Sequence, residues 1–287
     1  MFSMAPTLVL GATGNIGREV VSQLTTAGAP VRAMTRHPEA ARLPPQVEVV
    51  CGDLTLPESL NSCLDGVDSV FLIWSASPNT VAPIIERIAM QARRIVFLSS
   101  PHRTPHPFFQ QPNSGAALHR QIERTIQGSG MEWTFLRPGI FAANSRRWWS
   151  GQIRAGETVR WPYPDVQTAP TDERDIAAVA ACALLDNGHA GAEYVLTGPE
   201  SLSQAEQLAT IGRAIGRPIP LEEISPEEAR RELAATMHPA VVDMLLKAWA
   251  AAGGLPALVT STVGEITGKP ARSFLRWATD HVAEFQA

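Results

Sequence analysis

The short strand-like run Thr7–Leu10 passes without a break into Gly11-Ala12-Thr13-Gly14-Asn15-Ile16-Gly17, and Ile16, Val20, Val21 and Leu24 then recur at helical spacing. A strand that turns through three glycines straight into a helix leaves few options for the fold. Gly11 permits a tight turn off the strand, and Gly14 lets the backbone come close to a ligand. Gly17 lets the helix lie against the sheet. The helix start then offers unbonded N–H groups and a partial positive charge, which suits a diphosphate. Thr13, Asn15 and Ile16 share the turn and join the three glycines as candidate contacts.

The same alternation continues. Pro30–Met34, Val47–Val50, Ser69–Ile73, Arg94–Leu98 and Glu132–Leu136 read as further strands, apolar nearly throughout. Such strands are covered by helices on both faces, so the fold class is α/β, a doubly wound parallel sheet of the Rossmann type. Residues 1–140 form this core. Residues 139–170 read as loops with one short helix, Asp172–Asn187 as a helix capped by Asp172 or Thr171, and Glu193–Leu196 as one more strand. Residues 141–287 are therefore expected as a smaller, mostly helical lobe, with 172–197 packing back on the core.

Composition removes several function classes. The 24 Lys+Arg against 28 Asp+Glu give a net charge of -4, which does not make a nucleic-acid footprint. No run approaches the roughly 20 apolar residues of a membrane span. Cys51, Cys63 and Cys182 are scattered and form no CxxC, so neither a disulfide framework nor a zinc site is expected. With no charged-then-apolar leader at the start of the sequence, the expectation is a cytoplasmic protein.

Arg36 stands at the end of the second strand, 19 residues after Gly17. An acidic residue at this place selects NAD, whereas arginine accommodates the 2′-phosphate of NADP. NADP is the expected cofactor and NAD the alternative. Asp53, followed by Leu54, falls where adenine would lie; Asp53 reads either as an acceptor for the adenine amine or as a helix cap.

Together, Gly11-Ala12-Thr13-Gly14-Asn15-Ile16-Gly17, Thr35-Arg36, Gly52-Asp53, Leu98-Ser99-Ser100 and Arg137-Pro138-Gly139 resemble the NmrA-like group of atypical short-chain dehydrogenases/reductases. Within that group the chain is most similar to the type-2 NAD(P)H:quinone oxidoreductase branch, over nearly its whole length. The resemblance implies a dinucleotide site, and a group divided into working reductases and non-catalytic redox sensors. One feature of the wider superfamily is missing. Its Tyr-xxx-Lys pair has no counterpart, because neither Tyr163 nor Tyr194 is followed by lysine four residues on. The lysine that many NmrA-like reductases keep before the sixth strand corresponds here to His119, with Glu123 one turn later.

Substrate is expected where the carboxyl ends of the strands meet the lobe. Trp74, Ser75, Ser99 and Pro138 fall beside the expected nicotinamide end. Ser100, His102 and His119 are the local acid–base candidates, with Ser100 and His119 taken as catalytic; His119, at its ordinary pKa near 6.5, would donate a proton. Phe109, Phe141 and Trp148 suit stacking on a planar ligand, and read equally as packing between lobe and sheet. The expected function is reduction of a quinone-like or conjugated aromatic carbonyl compound, which extends to the tailoring of aromatic natural products, with a homodimer as one option for assembly. The alternative is a nucleotide sensor that acts through a protein partner.

Overall fold

In this computed structural model, which describes residues 5–286, the first strand, β1 (Thr7–Leu10), is buried at all four positions and enters α1 (Asn15–Thr26) through the glycine turn. There follow β2 (Val31–Thr35), β3 (Glu48–Cys51), α2 (Leu60–Cys63), β4 (Ser69–Leu72), α3 (Val81–Ala89), β5 (Arg94–Leu98), α4 (Ser114–Gln127) and β6 (Glu132–Pro138). The second half of the chain holds α5 (Asn144–Ala155), β7 (Val159–Trp161), β8 (Gln167–Thr168), α6 (Glu173–Leu185), β9 (Ala192–Leu196) and β10 (Leu202–Ser203). It ends with α7 (Gln204–Ile215), β11 (Leu221–Glu223), α8 (Pro226–Leu233), α9 (Pro239–Ala252), α10 (Thr262–Thr267) and α11 (Phe274–Asp280).

Seven strands form one sheet in the order β3-β2-β1-β4-β5-β6-β9, and every pairing in it is parallel. This is the doubly wound sheet that the alternation of strands and helices implies. The strand order reverses between β1 and β4, so a crevice opens at their carboxyl ends. Side-chain alternation divides the core. Val9, Phe71 and Val96 face α1 and α6, whereas Leu8, Leu10 and Val70 face α2, α3 and α4. Asp172 caps α6, accepting the Arg174 N–H at 2.9 Å.

Two features differ from the sequence reading. The one short helix expected among the loops of 139–170 is the longer, 12-residue α5, whose buried Ser145, Trp149 and Ile153 repeat every fourth residue. The lobe also returns to the core a second time, because Val263 of α10 is buried in the cluster made by α1 and α6. The apolar face of α6 is wider than α1 alone can cover. The lobe has its own centre, where Trp148, Trp149, Trp161 and Trp249 meet with ring centroids 5.5–5.9 Å apart.

The contact between α1 and the turn leaves no room for a side chain. A Cβ on Gly17 would lie 2.1 Å from the Gly11 carbonyl oxygen and 2.7 Å from its carbon. Gly17→Ala is expected to destabilise the protein by about 1–3 kcal/mol through overpacking against backbone. Chemical denaturation checks this, and an unchanged unfolding midpoint would contradict it.

Candidate active site

Gly11 has φ +77, and its Cβ position is only 3.1 Å from the Ile73 Cβ. Glycine is thus needed there twice, for the left-handed backbone and for the close approach of β4. The Gly14 N–H donates to the Gly11 carbonyl at 3.0 Å, which closes the turn. Helix α1 then begins with no side-chain capping bond and no acidic residue in its first turn. Its first N–H groups and its dipole are left for an anion from outside the chain.

A cleft of about 460 Å³ opens over this helix end. Gly11, Thr13, Gly14, Asn15 and Ile16 line one part of it, Arg36, Asp53 and Leu54 the rim beyond β2 and β3, and Ser75 and Phe141 the opposite end. Gly17 lies beneath the turn and makes the close packing rather than a wall of the cleft. Asp53 accepts the Thr55 N–H at 2.8 Å, and this backbone bond, with the charge of Arg36, holds its carboxyl below the usual range. Trp74, expected beside the cofactor, instead donates its indole N–H to the Ala76 carbonyl at 2.8 Å and packs against the sheet. Glu173, also in the cleft wall, accepts from the Ala143 N–H and the Trp277 indole at 2.9 and 3.1 Å, and burial raises its pKa. The glycine turn, the uncapped helix and the exposed Arg36 fit a phosphorylated dinucleotide.

A second cavity of about 290 Å³ lies under the lobe. It is lined by Ser99 and Ser100 after β5, Phe109, His119 on α4, and Pro138 and Phe141 at the end of β6; Met244, Leu245 and Ala248 of α9 face them. Phe141 borders both spaces, so the cleft and the cavity meet at its ring. Trp148 is not brought there. It lies 5.6 Å from Trp249 and 5.7 Å from Trp161, and it borders a separate groove with Arg147 and Arg160. The helical register of α5 turns it into the lobe.

Behind the polar end of the cavity sits a buried ion-pair network that sequence reasoning missed. Arg137 binds Glu123 with two bonds, Nε to Oε1 at 2.9 Å and Nη2 to Oε2 at 2.8 Å, and reaches Glu193 at 2.5 Å through Nη1. The Glu123 and Arg137 side chains are 3% and 4% exposed, and such burial is tolerable only because each charge is paired. Ser99, expected beside the nicotinamide end, donates its hydroxyl to Glu123 at 2.7 Å. The available signals were an arginine in the buried part of a sheet strand and a carboxylate on the face of α4 that carries Ile122 and Ile126.

Three buried polar atoms beside this network have no hydrogen-bond partner: Ser100 Oγ, His102 Nε2 and His119 Nδ1. His102 Nε2 is 3.5 Å from Glu123 Oε2, beyond good bonding geometry, while its Nδ1 meets the Ser100 carbonyl at 3.0 Å. His119 packs edge-on against Phe97 at 5.7 Å. Burial, helped by the neighbouring His102, pushes its pKa down from 6.5 to about 4. At neutral pH it is an uncharged hydrogen-bonding group, which corrects the expectation of an ordinary value.

The depressed His119 value means that the unfolded chain binds its proton between pH 6.5 and about 4, so this group favours unfolding as pH falls through that window. Asp175, raised by burial from 3.8 to about 6, acts with the opposite sign over much of the same range. Bulk stability therefore hides both, and NMR of the imidazole is the direct measurement. A His119 titration midpoint near pH 4 is expected; a midpoint near 6.5 would contradict the burial argument.

The profile of the NAD(P)H-binding family matches residues 11–187. Over 288 residues the chain is 38% identical to the (4-alkanoyl-5-oxo-2,5-dihydrofuran-3-yl)methyl phosphate reductase of Streptomyces griseus, covering 97% of this chain and 98% of that one. It is 33% identical over 293 residues to the NAD(P)H azoreductase of Xenophilus azovorans, covering 98% and 99%. The NADPH-dependent quinone oxidoreductase of Escherichia coli shares the fold, with a TM-score of 0.79 at 23% identity over 96% and 98% of the two chains. No helix among the described residues is long and apolar enough to cross a membrane. The nucleotide cleft, the cavity that adjoins it and these full-length relatives agree: the chain belongs to the NAD(P)H-binding oxidoreductase family and is an NAD(P)H-dependent reductase.

Proposed function

We propose that the protein reduces a flat, conjugated carbonyl or quinone-like compound with NADPH as the hydride donor. The observation that carries this reading is the junction at Phe141 of a dinucleotide-shaped cleft with an apolar cavity that has one polar end. The names of two similar proteins, an azoreductase and a quinone oxidoreductase, support it. NADPH, when bound, supplies hydride from its nicotinamide ring.

The chain's own residues have three tasks. Phe109, Ile140 and Phe141 present apolar surface to a planar substrate, and the proline-rich segment that carries Phe108 and Phe109 helps to keep water out. Ser100 and neutral His119 are placed to hydrogen-bond a substrate oxygen as negative charge develops on it. A quinone needs no stronger acid, because the hydroquinone anion is already stable. That makes the missing tyrosine–lysine pair tolerable. Arg36, exposed on the rim, is placed for the 2′-phosphate and favours NADP over NAD.

Loss of nicotinamide absorbance on mixing protein, NADPH and a simple quinone tests the reaction. Tight NADPH binding with no oxidation would instead favour the sensor reading. Arg36→Asp is expected to weaken NADPH by roughly 10- to 100-fold, the value of a charge-assisted bond to phosphate, while NADH changes little. Equal losses for the two nucleotides would contradict the assignment.

A further inference from the structure

We propose that the cavity beside Phe141 selects uncharged ligands, holding a neutral planar compound by its oxygen atoms and rejecting phosphorylated, sulfonated or carboxylated ones. This rests on the reductase reading only for what happens after binding. Among the described residues, no Arg, Lys, Asp or Glu side chain lines the cavity. Its walls are Phe108, Phe109, Ile140, Leu245 and their neighbours.

The nearest cation is already spent. Arg137 gives two bonds to Glu123 and a third to Glu193, so two carboxylates answer one buried guanidinium. Arg103, half-exposed, adds a looser contact to Glu193 at 3.5 Å. Arg120, exposed on α4, also acts on His102 but does not line the cavity, so an anion entering it would meet no counter-charge in its wall. Taking an unpaired anion out of water is costly, and apolar walls contribute nothing that distinguishes it from the neutral compound of the same shape.

The polar end is nonetheless built for a ligand. Ser100 Oγ and His119 Nδ1 are buried in this wall with no hydrogen-bond partner, whereas the equally unpartnered His102 Nε2 is turned toward Glu123, 3.5 Å away. Orphaned buried polar atoms are expensive, and a neutral carbonyl oxygen of a ligand would accept hydrogen bonds from Ser100 Oγ and His119 Nδ1. The chain therefore differs in ligand charge from the similar reductase whose name specifies a phosphate ester.

Equilibrium dialysis of 2-methyl-1,4-naphthoquinone against 1,4-naphthoquinone-2-sulfonate, on protein alone and with NADP⁺, reads the preference without turnover. The neutral quinone is expected to bind about tenfold more tightly or better. Met244→Lys, which places an ammonium in the half-buried α9 wall, is expected to bring the two affinities within about threefold or invert them. Equal or tighter binding of the sulfonate by the natural protein, an unmoved ratio in the variant, or binding of neither compound would overturn the proposal. Preferential binding of the neutral quinone without oxidation of NADPH would leave it standing and defeat the hydride-transfer reading instead.

Discussion

The approach of α1 to the turn at Gly11 is the constraint on which the rest depends. Backbone meets backbone there with no space for a methyl group on Gly17, and Gly11 is held in the left-handed region against Ile73. That contact aims the helix start at the sheet's carboxyl edge and keeps its first turn free of side-chain caps. The anion site follows from it, and the reversal of strand order between β1 and β4 supplies the crevice in which that site lies.

The pair Glu123–Arg137 does for the second cavity what the glycines do for the first. It ties α4 to β6, draws in Ser99 at the end of β5, and reaches β9 through Glu193. The guanidinium on β6 thus joins α4 and β9 directly, and its loss would leave the buried Glu123 charge unpaired, at a cost of about 3–5 kcal/mol. The polar wall formed by Ser100, His102 and His119 stands directly in front of this network.

The sheet was legible because buried parallel strands are apolar throughout and the glycine spacing marks where the first one ends; the strand limits shift by only a residue or two. The nucleotide cleft was legible for the same reason, since Gly11, Thr13, Gly14, Asn15, Ile16, Arg36, Asp53 and Ser75 lie close to strand ends that the pattern locates. What escaped depends on tertiary neighbours. Trp148, one residue off the buried Ser145, Trp149 and Ile153 stripe of α5, looks the same in sequence whether it faces a ligand or other tryptophans. Glu123 looks like a helix-surface partner of His119 until the sheet brings Arg137 against it. The depressed pKa of His119 arises from burial beside Phe97 and His102, which no local spacing reveals.

Isothermal calorimetry of the intact protein with NADPH addresses the central claim most directly, because it asks whether the Gly11 turn and the open end of α1 hold a dinucleotide at all. The account predicts one saturable site per chain. Absence of saturable heat with NADPH, NADP⁺, NADH and NAD⁺ alike would contradict it and leave the cleft without its assigned occupant.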